Sequence, residues 1–439
     1  MQGSTAGEGE PAPIARRKAR LCLAAVLTVS GVAGAPTAAE AGTTGLARDL
    51  RPAKLEAFFP RESYRSGDLA MLQVKSPSPT LELRVLRVGA VPISGIRRNE
   101  VRGEAVLGPR PVAISARGPA RIPIRVQEWP SGVYFAELRA PGGRVAYAPF
   151  VQLPSGNGQA RVAVVIPTNT WQAYNRRDAD RNGRGDTWYE DPTVRTVDLT
   201  RPFLDRGVPP NFNVYDLPFL RWLSMTGKEV DVFSQRELES RLSAATLANR
   251  YDLVVFPGHH EYVTEREYDV VERYRDLGGN LAFLSANNFF WHVSKRGSTM
   301  TRTQLWRQLG RPEAGLVGVQ FIGTDGGLRR APYTVTRSRA AGWLFEGTNL
   351  TPGSRFGSFG IEIDGTTRAS PRSTEVVARI RNLFGRGRTA EMTYYTRGGA
   401  RVFAAGAFTL GGSSLMLRPI MENLWKQLTA DGATPSARL

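Results

Sequence analysis

The chain has 439 residues, 41% hydrophobic and 22% charged, a balance that suits two or three globular domains and excludes a disordered protein. Its single cysteine, Cys22, excludes a disulfide framework, a cysteine zinc site and a cysteine nucleophile. The formal charge of +18 comes from 58 Lys and Arg, six of them Lys, against 40 Asp and Glu; arginines recur in every segment without a nucleic-acid motif, so no nucleic-acid partner is expected.

Arg16, Arg17, Lys18 and Arg20 precede an apolar run from Leu21 to Gly34, and Ala39-Glu40-Ala41 supplies an A-x-A cleavage signal. Residues 1–41 therefore read as a secretory signal peptide, whose apolar run is too short and too interrupted to span a bilayer. An exported protein, secreted or held in the periplasm or cell envelope, with no transmembrane anchor after cleavage, is the expectation. A linker over 42–54 follows. From 55 to 155 short alternating runs such as Leu69-Ala-Met-Leu-Gln-Val and Leu81-Glu-Leu-Arg-Val-Leu are separated by Gly/Pro turns. About seven such strands in 100 residues predict an immunoglobulin-like β-sandwich, with a scaffold role.

At Ala160 the pattern changes. Arg161-Val-Ala-Val-Val-Ile is a continuous apolar strand of the kind buried on both faces in a parallel sheet. A helix over 217–226, a strand at Val230-Asp-Val-Phe, a helix over 236–249 and a strand at Tyr251-Asp-Leu-Val-Val-Phe follow. Thr264 caps a helix running to Leu277, Asn280-Leu-Ala-Phe-Leu-Ser is a further strand, and a last helix covers 416–428. Strands alternating with helices over 160–432 predict an α/β domain with a doubly wound sheet; 433–439 is a tail.

Ligands collect at the carboxyl edge of such sheets. Four segments at or near strand ends are rich in Tyr, His, Glu and Asn: Asn169-Thr-Trp-Gln-Ala-Tyr174-Asn, Asn211-Phe-Asn-Val-Tyr215-Asp, Gly258-His259-His260-Glu261 and Ser285-Ala-Asn287-Asn288-Phe-Phe-Trp291-His292. The three histidines all fall inside the last two. Phenol and carboxylate oxygens are hard donors suited to Fe(III), and Trp171, Phe290 and Trp291 could wall the pocket. A tyrosine of this kind, taken singly, is more often a packed residue whose hydroxyl hydrogen-bonds nearby. A Ser-His-Asp hydrolase lacks its Gly-x-Ser-x-Gly elbow here.

Within the first of these regions, Asp178-Ala-Asp180-Arg-Asn182-Gly183-Arg-Gly-Asp186 follows the opening of an EF-hand-type loop and could hold Ca²⁺. Its twelfth position is Tyr189 instead of glutamate, with Glu190 one residue late, so a solvated polar turn is the competing reading.

The segments Trp171-Gln-Ala-Tyr-Asn, Tyr215, Pro257-Gly-His-His-Glu-Tyr and Leu284-Ser-Ala-Asn-Asn resemble the C-terminal catalytic domain of the N,N-dimethylformamidase large (beta) subunit family, over about 160–430. The resemblance implies a class I glutamine amidotransferase-like fold and a mononuclear iron, bound by two tyrosines and a glutamate, that hydrolyses an amide. Tyr174 and Tyr215 match the tyrosine ligands, Glu261 the carboxylate, His259 a histidine beside the metal and Asn287 a polar pocket residue. His259 would serve as general base, or as the acid that protonates the departing amine. The family enzyme also works with a small subunit, which this chain does not contain, and self-assembly into a homo-oligomer stays open. The leading expectation is a secreted iron-dependent hydrolase acting on a small amide. The alternatives are a non-catalytic extracellular or envelope-associated binding protein that keeps the α/β fold, and a calcium-stabilised structural module.

Overall fold

The computed structural model describes residues 50–430, except 52, 93–96, 98, 115–118 and 157–159. The signal peptide expected at 1–41, Cys22, most of the expected 42–54 linker and the expected 433–439 tail lie outside the described residues. Among the described residues no helix is long and apolar enough to cross a membrane.

Eight short strands between Glu56 and Gln152 form two sheets. One is three-stranded, in the order Glu56–Phe58, Leu69–Lys75, Ala120–Arg125. The other is five-stranded, in the order Ser63–Tyr64, Val145–Gln152, Gly132–Arg139, Thr80–Arg87, Glu104–Ala113. Alternation explains the first core: Leu72, Val74, Ile122 and Ile124 from one sheet meet Leu83, Val85, Leu138 and Phe150 from the other. The Gly132–Arg139 strand is buried on its second face as well, where Val133 and Phe135 join the core of the following region. Phe135 packs edge-on to Phe212 at 5.2 Å. The two regions thus share apolar packing.

Beyond it, five parallel strands lie in the order Asp231–Ser234, Val162–Ile166, Leu253–Phe256, Asn280–Phe283, Ala400–Ala404. In chain order this is 2-1-3-4-5, which places a topological switch point between the first and third strands, where ligand crevices form. Antiparallel strands, among them Arg330–Val335, Arg355–Gly365 and Glu375–Ile380, extend the sheet beyond Ala400–Ala404. The apolar runs are buried throughout, as expected for a sheet covered on both faces.

The helix Glu265–Asp276 is capped by Thr264, whose hydroxyl accepts from the Glu267 N–H, as expected from its sequence. The continuous helix expected over 236–249 is instead two helices, Gln235–Ser240 and Ala244–Arg250. The break has a local cause: the Ser243 hydroxyl accepts from the Thr246 N–H and caps the second helix. The segment after the first strand, read as a loop, forms the short helix Thr168–Ala173.

Candidate functional site

The helix Thr168–Ala173 leaves the first strand at the switch point, and Gly258 to Glu261 leave the third. The helix is fixed by buried polar contacts. The Asn169 N–H donates to Gln235 Oε1 at 3.0 Å, and Asn169 Nδ2 donates to Glu239 Oε1 at 2.8 Å and to the Tyr262 carbonyl at 3.1 Å. The Thr168 hydroxyl donates to Glu62 of the preceding sheets at 2.5 Å. These anchors aim Tyr174, at the end of the helix, toward the loop after the third strand. Its hydroxyl donates to Glu261 Oε2 at 2.7 Å.

His259 completes this group. Its Nε2 lies 3.5 Å from Glu261 Oε2 and 3.4 Å from Glu362 Oε2, both at ion-pair range. A cavity opens beside it, with Trp171, Tyr174, Tyr215, Asp216, Glu362 and Phe408 among its walls. Tyr215 stands at the mouth of the helix Leu217–Met225, its ring 5.1 Å from Phe408, which in turn lies 4.6 Å from the His259 ring. Tyr174, Glu261 and His259 are therefore in direct contact, and Tyr215 faces the same cavity as Tyr174 and His259.

The other expected residues are placed differently. Asn287 is not among the cavity walls; its backbone N–H donates to Asp364 at 2.9 Å, and its neighbour Ala286 packs with Ile361, Phe408 and Tyr215. His260 is buried against Phe256, and burial pushes its pKa down to about 3, so it is neutral. His292 accompanies Trp306 and Thr303, away from the cavity. Phe290 and Trp291 do not wall it either: Phe290 packs on Phe321, and Trp291 lies under Arg302. Ile361 and Phe408 take the place expected for them. The ligand oxygens of Asp178, Asp180 and Asp186 lie within 4.8 Å of one another, while Asn182 donates its N–H to Asp178 and Asp180.

Other residues of the site were not legible in the sequence either. Tyr189 stacks on Tyr174 at 4.5 Å and donates to Glu261 at 3.2 Å, and its hydroxyl also meets that of Tyr262. Glu362 comes from the Arg355–Gly365 strand, where Ile361-Glu-Ile-Asp alternates like a half-exposed strand yet is buried on both faces. That strand is irregular: its register shifts between Gly360 and Ile363, and Ile361 takes φ +66°, which a β-branched residue rarely adopts.

Electrostatics follow from burial. Desolvation raises the Glu261 carboxyl above its usual range, opposed by His259 and reinforced by Glu362. The Tyr174, Tyr189 and Tyr262 phenols are driven well above their ordinary value, first by burial and then by the Glu261 charge. For His259, burial opposes the charged form, but the carboxylates of Glu362, Glu261 and Asp364 outweigh it and raise the imidazole. Burial lifts Asp216, which accepts from Trp171 Nε1 at 3.2 Å, to about 7. Glu362 Oε2 and His259 Nε2 are buried without a hydrogen bond among the described residues. Two close carboxylates ringed by phenols are a donor set that fits a hard cation, which would satisfy those oxygens and draw protons from the phenols.

Residues 120–414 match the family described as N,N-dimethylformamidase beta subunit-like, C-terminal. The chain belongs to that family. The family region takes in the sheet strand Gly132–Arg139 as well as all the site residues, consistent with the core those regions share. Over 79 residues this family member is 34% identical to the N,N-dimethylformamidase beta subunit of Paracoccus aminophilus, a stretch covering 18% of this chain and 10% of that subunit. The matched stretch is thus about a tenth of that relative. Among solved structures, a cycloisomaltooligosaccharide glucanotransferase of Paenibacillus sp. aligns at 10% identity and TM-score 0.16, covering 58% of this chain and 34% of that one; so low a score carries no argument.

Proposed function

We propose that this member of the N,N-dimethylformamidase beta subunit-like family is an iron-dependent hydrolase of C–N amide bonds. The observation that supports it is His259 held between the buried carboxylates of Glu261 and Glu362, with Tyr174 on Glu261, beside a cavity that Tyr215 also lines. Tyr174, Tyr215 and Glu261 would hold Fe(III). When bound, that ion would supply Lewis acidity to an amide carbonyl and to a water molecule.

The chain's own residues supply the rest. Trp171, Ile361 and Phe408 line an apolar wall against which a small amide's alkyl groups can rest while bulk water is kept out. Glu362 Oε2, lacking a hydrogen bond, is placed to accept a proton from an attacking water. His259, whose Nε2 lies between the two carboxylates, is placed to pass a proton to the departing amine nitrogen. Tyr189 and Tyr262 keep Glu261 in place.

The finer classification is inferred on the same footing. The two stacked sheets support an immunoglobulin-like reading, and the 2-1-3-4-5 parallel order supports a glutamine amidotransferase-like one. Export rests on the sequence of 1–41 alone. A Ca²⁺ ion in the Asp178, Asp180, Asn182, Asp186 loop is supported by the ligand spacing and by the closeness of the three aspartates.

Metal analysis and absorption spectroscopy test the main proposal. The expected result is stoichiometric iron with a visible phenolate-to-iron charge-transfer band, lost in Tyr174→Phe or Tyr215→Phe. A colourless, iron-free protein that releases no amine from any small amide would overturn it and favour the binding-protein alternative.

A further inference from the structure

The positive charge of this chain is scattered in sequence, but one part of it is gathered in the fold. Three adjacent antiparallel strands, Arg355–Gly365, Arg330–Val335 and Glu375–Ile380, place Arg355 opposite Thr334 and Thr334 opposite Arg379. Residues directly opposite one another share a face, so the three form one row across the sheet. Arg381, just past the end of one strand, and Arg337, just past another, complete the lining of an open groove of about 630 Å³. Its walls include four arginines and neither a carboxylate nor an aromatic ring.

None of the four guanidinium groups joins an ion pair among the described residues, although arginines elsewhere in the chain are widely paired. Arg379 Nε is buried with no hydrogen-bond acceptor. Glu375, the acid of its strand, is turned away to the Ser338 hydroxyl and the N–H groups of Arg339 and Ala340. Four like charges side by side repel, and an unpaired buried donor carries a desolvation cost. An oxyanion ligand would relieve both, through the bidentate geometry guanidinium favours.

We propose that this groove binds a linear phosphate polymer. Its size exceeds what a single phosphate would fill. Its concave shape suits a chain better than a flat bilayer. The lack of an aromatic ring removes the stacking platform that single-stranded nucleic acids use, so recognition is of phosphate alone. The site lies on the antiparallel extension of the sheet, and none of its residues lines the His259 cavity.

The probe is inorganic polyphosphate, titrated into the full chain and followed by calorimetry across a salt series. Saturable binding is expected, weakening with salt at a log–log slope of about −3 if four phosphates are neutralised at about 0.7 each. Replacing all four arginines (R337Q/R355Q/R379Q/R381Q) should weaken binding by about tenfold or more and flatten the slope, because the lost contacts carry the counterion release. R121Q/R144Q/R195Q/R236Q removes equal charge from exposed sites elsewhere and should leave affinity nearly unchanged. If the quadruple groove variant does not fold, R355Q/R381Q, both at exposed groove positions, gives the same reading at smaller amplitude. The proposal is overturned if both quadruple variants lose affinity equally. It is likewise overturned if inorganic phosphate competes as well as the polymer per phosphate, if phosphatidylglycerol vesicles bind and polyphosphate does not, or if single-stranded DNA binds more tightly.

Discussion

Tyr189→Phe separates a positioning role from simple packing. The phenylalanine keeps the ring that stacks on Tyr174 at 4.5 Å, and deletes the hydroxyl that donates to Glu261 at 3.2 Å. A hydrogen bond to a charged acceptor contributes about 1.5–3 kcal/mol, which converts to a loss of about ten- to a hundredfold in metal affinity. Tyr174 is itself the proposed ligand, so its own hydrogen bond to Glu261 cannot substitute once it binds the metal. The assay is iron affinity by chelator competition, read beside the charge-transfer band and the melting temperature of the iron-free protein. Affinity should fall by that factor and the band should shift, while the iron-free protein melts within a few degrees of the parent. If the variant holds iron as tightly as the parent, with an unshifted band, Glu261 does not need Tyr189 and the reasoning fails.

Three further outcomes follow from other parts of the molecule. Phe135→Ala empties a fully buried position between the first sheets and Phe212, and should cost about 3–5 kcal/mol in urea unfolding; a loss under about 1 kcal/mol would mean the two regions do not share that core. Glu267 is raised by burial, with the charge of Glu239 adding to the effect, so the folded state keeps a proton that the unfolded chain has released. Its contribution to stability is therefore greatest below the usual glutamate range and declines as pH rises toward the folded pKa; Glu267→Gln should flatten that decline in pH-dependent melting, and an unchanged slope would refute it. Calcium at a hundred times its dissociation constant should add about 2.7 kcal/mol of stability, cancelled by Asp178→Asn; no heat on titration and no melting shift would exclude the site.

By itself, the sequence determined the features that short windows encode. The apolar run Val162–Ile166, the Thr264 cap and the helix Glu265–Asp276 are matters of local periodicity and hydrogen bonding. So is the concentration of polar residues at strand ends, which marks the segments holding Tyr174, Tyr215, His259 and Glu261; the family resemblance singles out those four within them. A local competitor such as the Ser243 hydroxyl, which caps its own helix, shifts even the helix boundaries from those that periodicity predicts.

Only the tertiary structure decided which side chains meet. Tyr189 and Glu261 are 72 positions apart in the chain and join because a helix, a loop and a strand end converge at the switch point. Glu362 reaches His259 through a register shift that no periodicity announces. Phe290 and Trp291, equally aromatic and equally close to a strand end, turn elsewhere. The arginines of three strands line up because backbone pairing sets their register. Pairing across such distances depends on the packing of the whole core, and composition along the chain carries no record of it.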